Sequence, residues 1–211
     1  MMLVLEEQKG WLVRPGVMTD QYVINDLKAY KLLELHHDDV VLDLGACIGT
    51  YTCTAAMLTS RVVAYEPEPE NFQVLLANVE QFDLHNIDAR QRAVAASSSV
   101  VPFYLKSSWN HSTVHFRGRD DTIDVAADGF WDVVDEVKPS VVKMDIEGEE
   151  YNLALESAWP TFVRALAVEL HQTRSEWKEA TKGILQAWEQ QGFKLLAVPH
   201  NSFQSLAIGV R

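Results

Sequence analysis

The stretch Val40-Val41-Leu42-Asp43-Leu44-Gly45-Ala46-Cys47-Ile48-Gly49-Thr50-Tyr51-Thr52 decides how this chain reads. A short β-branched and apolar run ends beside an acidic residue. Two glycines follow at G-x3-G spacing, and a stretch that suits a helix, Thr50 to Leu58, opens behind them. A run without polar alternation suits a strand covered on both faces, as in a parallel sheet. The glycines let the backbone turn sharply and let a ligand approach the main chain. The loop lacks G-x-G-x-x-G and the Gly-Lys-Ser/Thr of a phosphate cradle, and Asp43 would repel a pyrophosphate. A ligand carrying an ammonium and a sulfonium suits it better, which describes S-adenosylmethionine.

Downstream, Arg61 to Tyr65 reads as a second strand ending in Glu66-Pro67, 21 residues after Gly45. In open α/β sheets a carboxylate at the end of the second strand accepts both ribose hydroxyls. The pairing of glycine loop and acidic strand end predicts a nucleoside site.

Strand and helix patterns then alternate. Pro69 to Gln81 reads as a helix with proline near its first turn, and Ala89 to Ala95 as a third strand. Val100 to Leu105 is an extra strand or hairpin arm, Asp128 to Val137 a helix, Ser140 to Met144 a strand, Glu149 to Ser157 a helix and Val163 to Leu170 a strand. Arg174 to Gln191 carries Trp177, Thr181, Ile184, Leu185 and Trp188 on one stripe, a helix face turned to the core, and Gly192 marks its stop. Phe193 to Val198 and Gln204 to Val210 form a terminal antiparallel hairpin. Repeated βα units predict an α/β fold whose ligand lies at the carboxyl ends of the strands, where strand order switches. Seven strands ending in a hairpin suit the class I methyltransferase (Rossmann-like) sheet, mostly parallel with helices on both faces, better than a dehydrogenase sheet. Residues 1–36 read as an N-terminal helical cap, with Thr19 to Leu35 a helix over the sheet edge. Residues 37–211 read as the core of the same single domain.

Composition narrows the function classes. The 211 residues are 47% hydrophobic and 23% charged, which excludes a disordered or low-complexity chain. The net charge of −12 and the scattered lysines and arginines argue against nucleic acid and anionic membrane surfaces as partners. Cys47 and Cys53 are too few for a disulfide scaffold and fit no zinc spacing. No signal peptide or membrane span is legible, so a cytoplasmic protein is expected. Nothing in the sequence sets an oligomeric state.

With these residues in view, DLGACIGTYT (43–52), Glu66-Pro67, VKMDIEGE (142–149) and VELH (168–171) together resemble the FkbM-type methyltransferases over roughly residues 18–171. The K-x-D-x-E-G element is the specific part. The resemblance implies S-adenosylmethionine as cofactor, contacts at Asp43, Gly45, Ala46, Gly49 and Glu66, and methylation of a hydroxyl on a small molecule, natural product or sugar. Ala93, at the end of the third strand, falls where the adenine-flanking segment lies.

Methyl transfer needs alignment and deprotonation of the acceptor. Asp145, Glu169 and His171 end neighbouring strands and are the candidate catalytic groups. His171 suits a base near neutral pH, and Asp145 suits positioning of the methionine amino group or the acceptor hydroxyl. The same three residues could hold a divalent ion, but no metal is expected. Glu149 and Glu150 read as helix-dipole partners. His36-His37-Asp38-Asp39 reads as a solvated turn, and Ser107 to Ser112 as a loop that could cover the acceptor. Two competing readings are a non-catalytic methyltransferase-like binding module and a nicotinamide-dependent oxidoreductase, the latter lacking its third glycine.

Overall fold

A computed structural model describes residues 3–105, 121–171, 175–196, 198–199 and 204–211. The chain opens with a hairpin of β1 (Glu6–Gln8) and β2 (Trp11–Val13), followed by α1 (Met18–Asp26) and a 3-10 turn, Leu27–Leu32. Five parallel strands follow: β3 (Val40–Leu44), β4 (Arg61–Tyr65), β5 (Ile87–Arg90), β9 (Val141–Met144) and β10 (Ala165–His171). Between them lie α2 (Thr50–Ala56), α3 (Pro69–Gln81), a small sheet and α4 (Phe130–Val137). The small sheet is built from β6 (Ala93–Ala95), β7 (Ser99–Leu105) and β8 (Asp121–Gly129), in the order β6-β8-β7. After α5 (Ser175–Gln190), β11 (Lys194–Leu195) and β12 (Val198–Pro199) both pair antiparallel with β13 (Gln204–Val210).

The large sheet runs β11-β13-β10-β9-β3-β4-β5, with β12 alongside β13. It is the α/β, mostly parallel sheet of the class I methyltransferases, with helices on both faces. The pleat sorts neighbouring residues to opposite faces. Leu42, Leu44, Val142 and Met144 join the core with Phe130, Val134, Ile184 and Trp188 of α4 and α5. Val41, Val62 and Val141 join the other core with Tyr51 and Ala55 of α2. From β3 the chain builds outward through β4 and β5, then crosses back to β9, so strand order switches between β3 and β9.

Several expectations change. The expected third strand breaks at Gln91-Arg92: β5 stays in the large sheet, while β6 leaves to pair with β8. The helix expected from Glu149 is only a 3-10 turn, Glu149–Asn152. The segment after Thr19 covers a face rather than an edge, for Leu33 packs in the core of the central strands. Its expected helical cap is preceded by a hairpin, anchored where the Leu12 amide donates to Asn78 Oδ1 at 2.8 Å. Asp39 is not solvated. It is buried, accepts from the Ser140 hydroxyl at 2.7 Å and from Arg164 Nε at 2.8 Å, and the arginine holds its carboxyl below the ordinary aspartate range against the opposing effect of burial. The Ser107 to Ser112 loop lies outside the described residues. Among the described residues no helix is long and apolar enough to cross a membrane.

Candidate active site

A cleft opens at the switch point, bordered by Gly45, Cys47, Glu66, Pro67, Ala93 and Asp145 among others. Its floor is the seam between β3 and β9. Gly45 has φ +76, and a Cβ built on it would lie 1.8 Å from the Asp145 carbonyl oxygen. The first glycine is therefore required by the seam itself as much as by any ligand. The Gly45 and Ala46 amides both donate to the Tyr65 carbonyl at 3.0 Å, which ties the loop to the end of β4. Cys47 adopts φ +52, a left-handed conformation uncommon outside glycine, and its amide donates to Glu66 Oε2 at 2.8 Å.

Glu66 is buried. Its other oxygen accepts from the Glu68 amide at 2.9 Å. Burial lifts its pKa to about 7, with the amides of Glu68 and Cys47 acting in the opposite direction. Oε1 also accepts from Asn71 Nδ2 at 3.4 Å, whereas Oε2 keeps a second lone pair, so the group can still accept a hydrogen bond from a ligand.

Asp43 lies elsewhere than its expected contact role required. It is fully buried beneath the loop, ion-paired to Lys143 Nζ at 3.1 Å and accepting from the Thr52 hydroxyl at 2.5 Å. Lys143 also donates to the Gly45 carbonyl at 2.8 Å. Burial works against the Lys143 charge, but Asp43 and Asp145 outweigh it and raise its pKa above the ordinary lysine value. Asp43 therefore fixes the loop through Lys143 instead of facing the cleft. Ala46 packs against Ala64 and Leu75. Gly49 sits at the start of α2, where a Cβ would meet Leu75 Cγ at 3.0 Å. Neither borders the cleft, whereas Gly45, Glu66, Pro67, Ala93 and Asp145 do. Lys143 was missed by the sequence reading, although a lysine inside the apolar run VVKM signals a buried partner.

On the far side, β9 and β10 bring acidic groups around one imidazole. His171 is 2% exposed, with Nδ1 3.0 Å from Glu150 Oε1 and Nε2 3.3 Å from Glu147 Oε2 and 3.7 Å from Asp145 Oδ1. Burial would lower its pKa, but Glu150 first, then Glu147 and Asp145, raise it well above the ordinary histidine value. His171 therefore holds a proton between carboxylates, which corrects its expected role as a free base. Glu169 is lifted to about 8, by burial first and by Asp145 next. Glu150 is fully buried and contacts the imidazole, instead of serving a helix dipole. Glu147 (φ +59) and Gly148 (φ +110) are consecutive left-handed residues. Backbone strain of this kind persists where surrounding structure enforces it, often at functional sites.

Comparison with known proteins agrees with this architecture. The family model described as the methyltransferase FkbM domain matches residues 43–195, and the chain belongs to that methyltransferase family. It is 27% identical over 200 residues to the hexuronic acid methyltransferase AglP of Haloferax volcanii, covering 87% of this chain and 80% of that protein. Among solved structures it resembles the methyltransferase FkbM from Methylobacillus flagellatus KT, with TM-score 0.57 and 17% identity, covering 84% of this chain. The match takes in 45% of that longer protein. The fibrillarin pre-rRNA processing protein of Methanococcus jannaschii matches with TM-score 0.53 and 15% identity, over 98% of this chain and 81% of that one. TYW2 of M. jannaschii, solved in complex with AdoMet, matches at TM-score 0.51 and 13% identity, over 98% of this chain and 84% of that one. These structures bear on the fold alone. Family membership makes methyl transfer the reaction class and implies S-adenosylmethionine as donor.

Proposed function

We propose that this chain transfers a methyl group from S-adenosylmethionine to an oxygen of a sugar or sugar-acid acceptor, most simply a hydroxyl. The observation that carries the reading is the placement of Glu66 and Asp145 on one cleft at the strand-order switch. The donor set fits a cationic nucleoside. Glu66, Asp145, Glu147 and Glu149 border the cleft with Arg92, and Arg92 is itself held by Asp128 at 2.7 Å. S-adenosylmethionine supplies, when bound, a methyl carbon already activated by its sulfonium.

The protein's own part is alignment and proton handling. Glu66, fixed by two backbone amides, accepts from the ribose diol. Gly45 keeps side-chain atoms off the seam, and Lys143 holds its carbonyl in place. Pro67 and Ala93 border the cleft beside Glu66 and are assigned to the adenosine. Asp145 orients the acceptor hydroxyl and takes its proton, and Glu169, whose own proton is retained near neutral pH, adds no competing charge behind it. Orientation accounts for up to about 7–11 kcal/mol in well-aligned reactants, against roughly 3–6 kcal/mol for a 10²–10⁴-fold base effect. Fixed geometry therefore matters more here than the strength of any base. The sugar acceptor is inferred from the Haloferax relative.

The test is incubation with methyl-labelled S-adenosylmethionine and a panel of hexuronates, hexoses, phenols and amines, with product mapping by mass spectrometry. Label on a sugar oxygen is expected. Label confined to amines, or absent from every acceptor while the cofactor binds, overturns the assignment and favours the non-catalytic module.

A further inference from the structure

The acidic side of the cleft carries more than the proposed methyl transfer requires. Asp145, Glu150 and His171 each offer a potential ligand atom, and these three atoms lie within 4.8 Å of one another. Each residue also has a buried atom with no hydrogen-bond partner among the described residues: Asp145 Oδ1, Glu150 Oε2 and His171 Nε2. Glu150 and His171 are 0% and 2% exposed. Buried polar atoms are normally satisfied, and leaving one unmatched is costly. One such atom on each of three adjoining residues is a coherent deficit. Among the described residues, the nearby amine of Lys143 is committed to Asp43 and the Gly45 carbonyl.

The imidazole is also prepared for ligation. Its Nδ1 faces Glu150 Oε1 at 3.0 Å, a carboxylate–histidine pairing that orients the ring; a cation at Nε2 would displace the proton that the carboxylates favour and take up the lone pair. Nε2 lies 3.7 Å from Asp145 Oδ1 and 3.3 Å from Glu147 Oε2. In an octahedral shell with bonds of about 2.1 Å, neighbouring ligand atoms lie about 3.0 Å apart and opposite ones about 4.2 Å. The observed separations approach those values. Glu147, in its left-handed conformation, is placed beside the same nitrogen.

We propose that Asp145 and His171 Nε2, with Glu147 at the edge, form a binding site for one divalent cation of the Mn²⁺ or Mg²⁺ class, while Glu150 holds the imidazole from its Nδ1 side. Hard carboxylate oxygens with a single imidazole suit these ions, and water would complete the shell. The cation would lie beside Asp145, where the acceptor oxygen is assigned, and would offset the carboxylates facing a sugar acid. That consequence rests on the proposed acceptor. The binding itself does not, so it is measured without donor or acceptor.

The experiment is calorimetric titration of the chelator-treated full chain with MnCl₂, MgCl₂ and ZnCl₂, paired with the electron paramagnetic resonance spectrum of bound Mn²⁺. One equivalent of Mn²⁺ should bind, with loss of the free-ion signal. At a hundredfold excess over its Kd the ion should raise the melting midpoint by roughly 5–10 °C. Asp145→Asn and His171→Asn should each weaken binding about 10–100-fold, while Glu136→Gln, on the solvent face of α4, leaves it unchanged. Asp145 is 28% exposed, so its variant remains informative if the buried His171 change impairs folding. Absence of stoichiometric binding by folded wild-type protein, or binding that Asp145→Asn leaves intact, overturns the site. Cofactor affinity is titrated separately in metal-free buffer, so failure of the cation site and failure of the methyltransferase reading give different results.

Discussion

The two banks of the cleft handle buried charge in opposite ways. On the β4 bank the Glu66 carboxylate is met by the amides of Cys47 and Glu68. Beneath it, Asp43 is neutralised by Lys143. On the β9–β10 bank Asp145, Glu147 and Glu150 surround one imidazole, and three of the side-chain atoms have no hydrogen-bond partner. The first bank is charge-balanced before a ligand arrives, with Asp43 Oδ1 meeting Lys143 as an ion pair at 3.1 Å. The second is left incomplete, and groups held in that state are available for chemistry or for a cation. The contrast says which substitutions should disturb folding and which should disturb ligands.

The largest effect is expected where the banks meet. Gly45→Ala forces a Cβ to within 1.8 Å of the Asp145 carbonyl and adds left-handed strain. It should cost about 4 kcal/mol or more in urea unfolding, or prevent folding. A loss below 1 kcal/mol would mean that the seam is looser than described. Next, Lys143→Met strands Asp43 in the core and should cost about 3–5 kcal/mol. Adding Asp43→Asn should recover part of that loss, because a neutral amide needs no counter-charge. If the double variant is as unstable as the single one, Asp43 and Lys143 are not the coupled pair that completes the first bank.

The smallest effect sharpens the comparison most. Glu66→Gln should weaken S-adenosylmethionine binding about 10-fold and leave the fold intact. The pH dependence has a definite sign. Burial puts the folded Glu66 pKa at about 7, above the ordinary value of 4.5. Below pH 4.5 the group is protonated in both states and has no linkage effect. Between 4.5 and 7 the unfolded chain loses the proton first, so this residue's contribution to stability falls as pH rises and its cost is complete above 7. The anion is the form that accepts from a diol, so cofactor affinity should rise from pH 6 to about 8. Glu66→Gln should flatten that rise. A wild-type profile as flat as the variant's would remove Glu66 from the ribose.

Local signals made the first bank largely legible in the sequence. The glycine spacing, the apolar run of β3 and the acidic end of β4 lie within a few dozen residues and follow strand period and turn chemistry. What escaped depends on long-range pairing. Nothing near Asp43 announces a lysine 100 positions away, and nothing near Asp39 announces Arg164. The K-x-D-x-E-G element marked the second bank by family likeness, but the expected helix from Glu149 put Glu150 in the wrong role. Only the tight 3-10 turn carries Glu150 back to His171. The break after β5 was also hidden, because Ala89 to Ala95 reads as one strand until β8 is there to pair with β6.

The central claim is that the first bank, ready-made at the strand-order switch, receives the nucleoside. A crystal structure of the protein soaked with S-adenosylhomocysteine tests it most directly. The account predicts the ribose hydroxyls on Glu66, with the homocysteine end running past Gly45 toward Asp145. A nucleoside bound elsewhere, or a cleft left empty at saturating ligand, would contradict it.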